Sequence, residues 1–268
     1  MTARKASLTG FAGILSLALV TTAACGLAEE TTKEESPKVS VATPRDTLLA
    51  AVPDTKVGAY KFDIKGGETP MSGVLDAPKK TIELKIVHKE PDVGLTMTMT
   101  SLVVDKQGWM KIAFTPANLP GLPKLPKKWV LLDPAKVKDA ANSPLEYSDE
   151  TDPGYVSLLV QNSADLKETS PGHFAGTTDL TQSTDADIVD DKTLTALGEK
   201  AKTVPFTAVI DAEGHITSAV VKIPAAGKTK ASAYQVTYSA FGKTATPSAP
   251  AGNEQTPATA AVYELLNG

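Results

Sequence analysis

Residues 81–114 read TIELKIVHKEPDVGLTMTMTSLVVDKQGWMKIAF. Ile82, Leu84 and Ile86 alternate with Glu83 and Lys85. Leu95, Met97 and Met99 alternate with Thr96, Thr98 and Thr100. Met110, Ile112 and Phe114 share one side of a third run. A two-residue period sends successive side chains to opposite faces. The segment therefore predicts three consecutive antiparallel strands with one apolar and one polar face. EPDVG at 90–94 and DKQG at 105–108 supply the turns between them.

The pattern extends in both directions. Upstream, AYKFDIKG at 59–66 places Tyr60, Phe62 and Ile64 on one face, with KGGE and APKK as punctuation. Downstream, PFTAVIDAEGHITSAVVKIP at 205–224 predicts two strands joined at DAEG. SAYQVTYSAFG at 232–242 alternates Tyr234, Val236 and Tyr238 against Gln235, Thr237 and Ser239. Helical signals are fewer. TPRDTLLAAV at 43–52 carries Thr43 as N-cap, Pro44 in the first turn and Asp46 at the capping-box position. DPAKVKDA at 133–140 and DPGYVSLLVQNSADL at 152–166 each offer an Asp cap followed by Pro. DDKTLTALGEKAKTV at 190–204 is capped near Asp190 and presents Leu194, Leu197 and Ala201. Residues 243–260 read as a loop, and AVYELLNG at 261–268 as a last strand or short helix. The sum is an α+β chain dominated by antiparallel strands, with residues 43–268 as a single domain.

The first 24 residues have a different character. Arg4 and Lys5 precede an apolar run from Phe11 to Val20 and then small residues, the three-part layout of a secretory signal. The run is short for a membrane-spanning helix. Residues 25–42 are polar and charged, the composition of a flexible tether that reaches some 20–25 Å. Cys25 is the only cysteine, so no disulfide forms within one chain. TAAC at Thr22–Cys25 resembles a bacterial lipobox, with Thr22 where the pattern usually has Leu. The resemblance implies cleavage before Cys25, a lipid on its thiol, and anchorage at the outer face of the cell membrane. The alternative is a plain secreted protein whose signal ends in Cys. Two acyl chains would anchor durably where one is marginal.

Without residues 1–24 the chain has 25 basic and 31 acidic residues, a net charge of −6, and Arg45 is its single arginine. Nucleic-acid binding, which needs clustered basic residues, is not expected. AGKTK and FGKTA carry Gly227 and Gly242, but the phosphate-loop spacing needs a Gly five positions earlier. Lys222 and Thr237 stand there. His88, His173 and His215 are widely separated, without the close ligand spacing of a zinc site. Asp185, Asp187, Asp190 and Asp191 lack the glycine and terminal glutamate of a calcium loop and read as helix capping with solvated charge. No catalytic residue, metal or cofactor is implied, and the chain is not expected to be an enzyme.

Two sets of apolar residues are candidates for function. Phe62, Ile64, Leu84, Ile86, Met97, Met99, Met110, Ile112 and Phe114 fall on the apolar strand faces. They could form an ordinary packed core or line a lipid cavity, to which the adaptable Met97, Met99 and Met110 would be suited. In NLPGLPKLPKKW at 118–129, Leu-Pro recurs every third residue. That period favours polyproline II and would align Leu119, Leu122 and Leu125 as an apolar ridge. The ridge reads either as a rigid loop packed on the core or as a lip at a cavity mouth.

DLTQSTDADI, LTALGEKAKTVPFTAVIDAEGHITSAVVKIP, YQVTYSAFG and APAGNEQTP in the later half, with DKQGWMKI and KKWVLLDP before them, resemble actinobacterial lipoproteins of the LppX/LprG type in segment order over roughly 43–268. The resemblance implies a LolA-like fold: a strongly curved antiparallel sheet forming a half-open barrel, with a few helices over its concave side. It also implies an acyl lipid or glycolipid ligand held in an apolar cavity and carried or presented within the envelope, with a membrane transporter as a possible partner. The competing expectation is a non-catalytic sensory or scaffold lipoprotein whose core is filled and which contacts a membrane-protein partner.

Overall fold

The computed structural model describes residues 42–138, 145 and 147–267. The signal segment, Cys25 and the tether lie outside the described residues. Twelve strands form one open sheet in the order β12-β6-β5-β4-β3-β2-β1-β11-β10-β9-β8-β7. Its first half in sequence is β1 (Tyr60–Lys65), β2 (Met71–Asp76), β3 (Thr81–Glu90), β4 (Leu95–Val104), β5 (Gln107–Thr115) and β6 (Trp129–Leu131). The second half is β7 (Ser163–Ser170), β8 (His173–Thr178), β9 (Val204–Ile210), β10 (Ile216–Ile223), β11 (Ser232–Ser239) and β12 (Gln255–Pro257). All pairings are antiparallel except β12 with β6. Four α-helices accompany the sheet among the described residues: α1 (Pro44–Ala51), α2 (Val156–Gln161), α3 (Asp191–Leu197) and α4 (Ala260–Asn267).

The local signals act as the sequence predicts where they are self-contained. Thr43 accepts from the Asp46 amide at 3.2 Å while Asp46 accepts from the Thr43 amide at 3.1 Å, closing the capping box of α1. Asp190 accepts from the Thr193 amide at 2.7 Å and starts α3, which buries Leu197 and half-buries Leu194. The expected β9–β10 hairpin forms, and residues 260–267 are helical.

Four expectations are corrected. The helix expected from Asp152 begins only at Val156: Tyr155 takes φ +51°, and the Asp152 carboxylate reaches past it to accept from the Ser157 amide in the helix's first turn and from Tyr238 on β11. It stops at Gln161, and Ser163–Ser170 leaves it as the edge strand β7 paired to β8. At Asp133 only a 3₁₀ turn, Pro134–Lys136, follows the cap. The expected loop at 243–260 contains β12, which is held beside β6 by pairing rather than by any periodicity of its own.

Two hydrophobic clusters form. The first joins Leu48 of α1 and Val156, Leu159 and Val160 of α2 to Tyr60, Phe62, Leu75, Phe206, Val221 and Val236 from the strands. The second joins Met110 of β5 and Val130 of β6 to Leu132, Val137, Leu145, Val262 and Tyr263. α4 pins this second cluster: Tyr263 accepts from the Asp133 amide at 2.8 Å, and Asn267 accepts from the Lys138 amide at 2.8 Å.

Candidate functional site

Cross-strand register assembles the apolar face row by row. Tyr60, Leu75, Ile82, Val103 and Gly108 stand opposite one another across β1 to β5. The next row is Phe62, Gly73, Leu84, Ser101, Met110 and Val130. Ile64, Met71, Ile86, Met99 and Ile112 follow, and then His88, Met97 and Phe114. Directly opposed residues point to the same side. All nine residues singled out on the strand faces therefore share one face of the sheet.

They do not share one environment. Phe62, Ile64 and Met110 are buried in the packed clusters. The reason for Phe62 is Gly73. A Cβ there would lie 2.6 Å from the Phe62 ring and 2.0 Å from the Glu83 carbonyl oxygen, so the ring occupies the space above the glycine. Leu84, Ile86, Met97, Met99, Ile112 and Phe114 are half-buried. Leu84 leans on the first cluster, while Met99 and Ile112 lean on the second. Ile86, Met97 and Phe114 belong to neither cluster. The six form an apolar seam between two cores. From Leu84 to Phe114 the six span two inter-strand steps, about 10 Å, and four residues along the strands, about 13 Å.

Ser101 interrupts the seam's inner margin. It is buried between Leu84 and Met110, and its hydroxyl has no hydrogen-bond partner among the described residues. Such an orphan costs about 1–3 kcal/mol.

The loop after Phe114 carries the leucine ridge. Leu119, Leu122 and Leu125 are all half-buried, and Leu125 packs on the second cluster. A continuous polyproline ridge does not form. The Leu122 amide donates to the Leu119 carbonyl at 3.5 Å and Gly121 has φ +89°, so Pro120-Gly121 makes a β-turn with glycine in the left-handed position. The turn reverses the chain between Leu119 and Leu122 and breaks the triplet alignment.

Over β1 and β11, on the same face of the sheet, lies a polar cage that the sequence reading missed. The Tyr238 hydroxyl donates to Asp152, and the Ser157 amide and hydroxyl each donate to the other Asp152 oxygen at 2.7 Å. Tyr60 donates to the Thr151 carbonyl at 2.5 Å and Tyr234 to the Gly154 carbonyl at 3.1 Å. Three strand tyrosines thus clamp segment 151–157 onto the sheet. Burial raises the Asp152 pKa against the opposing pull of its hydrogen bonds, and raises those of Tyr60, Tyr234 and Tyr238 as well. No period marks these tyrosines as polar anchors; alternation shows only that they face inward.

No protein-family model and no curated protein matches the chain.

At the β9–β10 turn, Asp211, Glu213 and His215 bring three possible ligand atoms within 4.8 Å of one another. The Asp211 carboxylate already accepts from the Glu213 and His215 amides, at 3.1 and 2.8 Å, and the His215 ring stacks on Phe241. Turn formation accounts for this arrangement. His88 lies on the exposed end of β3 beside Glu90, and His173 on β8. The three histidines stay on separate elements.

Proposed function

We propose that the protein is an extracytoplasmic lipoprotein that binds an acyl lipid on the seam and carries or presents it within the cell envelope. On this reading the open sheet is a half-open barrel of LolA-like type, the signal segment is removed, and Cys25 bears the membrane anchor. The observation that carries the reading is the seam itself. Six flexible or branched apolar side chains are held on one face, between two cores, over about 10 Å across β3 to β5 and about 13 Å along them. One leaflet of bilayer hydrocarbon is about 15 Å thick, close to the patch's diagonal of about 17 Å, so an extended acyl chain fits across it. Met97 and Met99 adapt to chains of different shape.

The proposed work is partition, not catalysis. Each methylene leaving water gains about 0.8 kcal/mol, but a bilayer offers nearly the same gain. Exchange between bilayer and seam is therefore close to balanced and reversible. Leu119 and Leu122, on the loop that leaves β5 after Phe114, give an arriving chain apolar contact beside the seam. A membrane transporter is the partner that such a carrier would serve.

A second reading is favoured by Phe62, Ile64 and Met110, which are packed rather than open. It is a non-catalytic scaffold or sensory lipoprotein with a filled core. Native mass spectrometry of the protein purified without detergent, with residues 1–25 removed, separates the two. The lipid-binding reading expects co-purified acyl lipid from more than one expression host. A bare mass from every host supports the scaffold.

A further inference from the structure

The row that crosses the seam begins at Ile64 and Met71, and those two side chains also floor a separate cavity of about 230 Å³. Tyr155, Tyr234, Pro153, Asp185 and Asp187 also line it, and no basic residue does among the described residues. Neither aspartate is in an ion pair among the described residues. Tyr234 is fixed by its hydroxyl bond to Gly154. Tyr155 is 39% exposed, one of the few large side chains left open, and its φ of +51° is a left-handed backbone that bulky residues seldom adopt. The surrounding fold holds that strain, and the ring stays at the cavity mouth. The Tyr155 hydroxyl also titrates high, through burial first and then the charges of Glu150, Asp185, Asp152 and Asp187. The cavity is smaller than a pocket for a whole drug-sized ligand, for which about 300–1,000 Å³ is usual. It suits a head group.

We propose that this cavity binds an ammonium group, with the rings of Tyr155 and Tyr234 and the carboxylates of Asp185 and Asp187 as its partners. Aromatic faces attract a cation through the ring quadrupole, most strongly when the ion is poorly hydrated, as a quaternary ammonium is. The two unpaired aspartates add a field of the right sign and disfavour an anionic or neutral occupant. The ammonium belongs to a lipid head group or to a free soluble amine. The binding chemistry is the same in both cases and does not require an acyl chain on the seam.

The test uses the full-length chain in a maltoside detergent, titrated with choline and with its uncharged isostere 3,3-dimethylbutanol and followed by calorimetry. The expected result is saturable choline binding, with the isostere weaker by about tenfold. Tyr155→Phe keeps the ring and should keep choline. Tyr155→Asn should weaken it by about tenfold while leaving the fold intact, because Asn tolerates the left-handed backbone. Asp185→Asn, at an exposed position, gives the same reading without touching the strained residue. Uptake from phosphatidylethanolamine and phosphatidylglycerol vesicles then identifies the source. A preference for the amine lipid that Tyr155→Asn abolishes assigns a lipid head group. Choline binding without a lipid preference assigns a free amine. Failure of both lipids to load, with choline still bound, counts against the seam and not against this cavity. Equal affinity for choline and the isostere, or choline binding insensitive to both Tyr155→Asn and Asp185→Asn, overturns the proposal.

Discussion

Asp152 is 7% exposed and has no cationic partner among the described residues; hydrogen bonds from Tyr238 and Ser157 hold it. Its pKa in the fold lies above the ordinary value for an aspartate, because burial disfavours the carboxylate more than those bonds favour it. The folded state thus holds the proton more tightly than the unfolded chain does. This group's contribution to stability is fully present below the unfolded pKa. It declines as pH rises toward the folded value and is constant above it. In Asp152→Asn that decline is removed, though Asn cannot accept from Ser157 and hold Tyr238 equally well. Denaturant midpoints taken from pH 4 to pH 7 should show wild type losing stability relative to Asp152→Asn as pH rises. A gain of wild type over the variant across that window would contradict the assignment. Asp46 and Asp190, whose pKa values are lowered by their capping bonds, act alike in both proteins and cancel in the comparison. Those two caps were legible in the sequence because donor and acceptor are three residues apart. The cage around Asp152 was not, because Tyr238 is 86 residues away.

Strands with a clean two-residue period were read correctly: β1, β3, β4, β5, β9, β10 and β11 all stand where the alternation puts them. The five missed, β2, β6, β7, β8 and β12, carry no such period. β2 is interrupted by Gly73, whose lack of a side chain the Phe62 ring exploits. β7 is a sheet edge with mostly exposed residues, so little of it needs to be apolar. β12 is three residues long and exists only through its partner β6. The β5–β6 loop shows the limit of a triplet pattern: proline spacing favours polyproline II, but Pro120-Gly121 is equally a turn pair, and the turn forms. The leucines consequently differ in role. Leu125 packs on the second cluster, so Leu125→Ser should lower the melting temperature, by the equivalent of about 1–3 kcal/mol for a half-buried leucine. Leu119→Ser with Leu122→Ser should cost less stability than that single change, yet slow uptake of a fluorescent acyl lipid. If the double change melts the domain as severely as Leu125→Ser, the two leucines are core. If uptake is unaffected, they have no part in lipid arrival.

The molecule joins two separately packed clusters through one sheet, and β3 to β5 span the gap between them. Composition and period foretold that an apolar face would exist and which side chains would point to it. They could not foretell which of those side chains would be packed. That depends on helices arriving from 156–161 and 260–267, and on how far their cover extends along the strands. Phe62, Ile64 and Met110 fall under that cover and Met97 and Phe114 do not, although all five look alike in sequence. The seam is the consequence, and a photoreactive acyl lipid tests it at single-residue level. After irradiation of the loaded protein and sequencing of labelled peptides, label should fall on Ile86, Met97, Met99, Ile112 and Phe114. Their neighbours Lys85, Thr98, Lys111 and Ala113, on the other face, should be spared. Label on both parities of β3 to β5, or none on these strands while the protein carries lipid, would contradict binding on the seam.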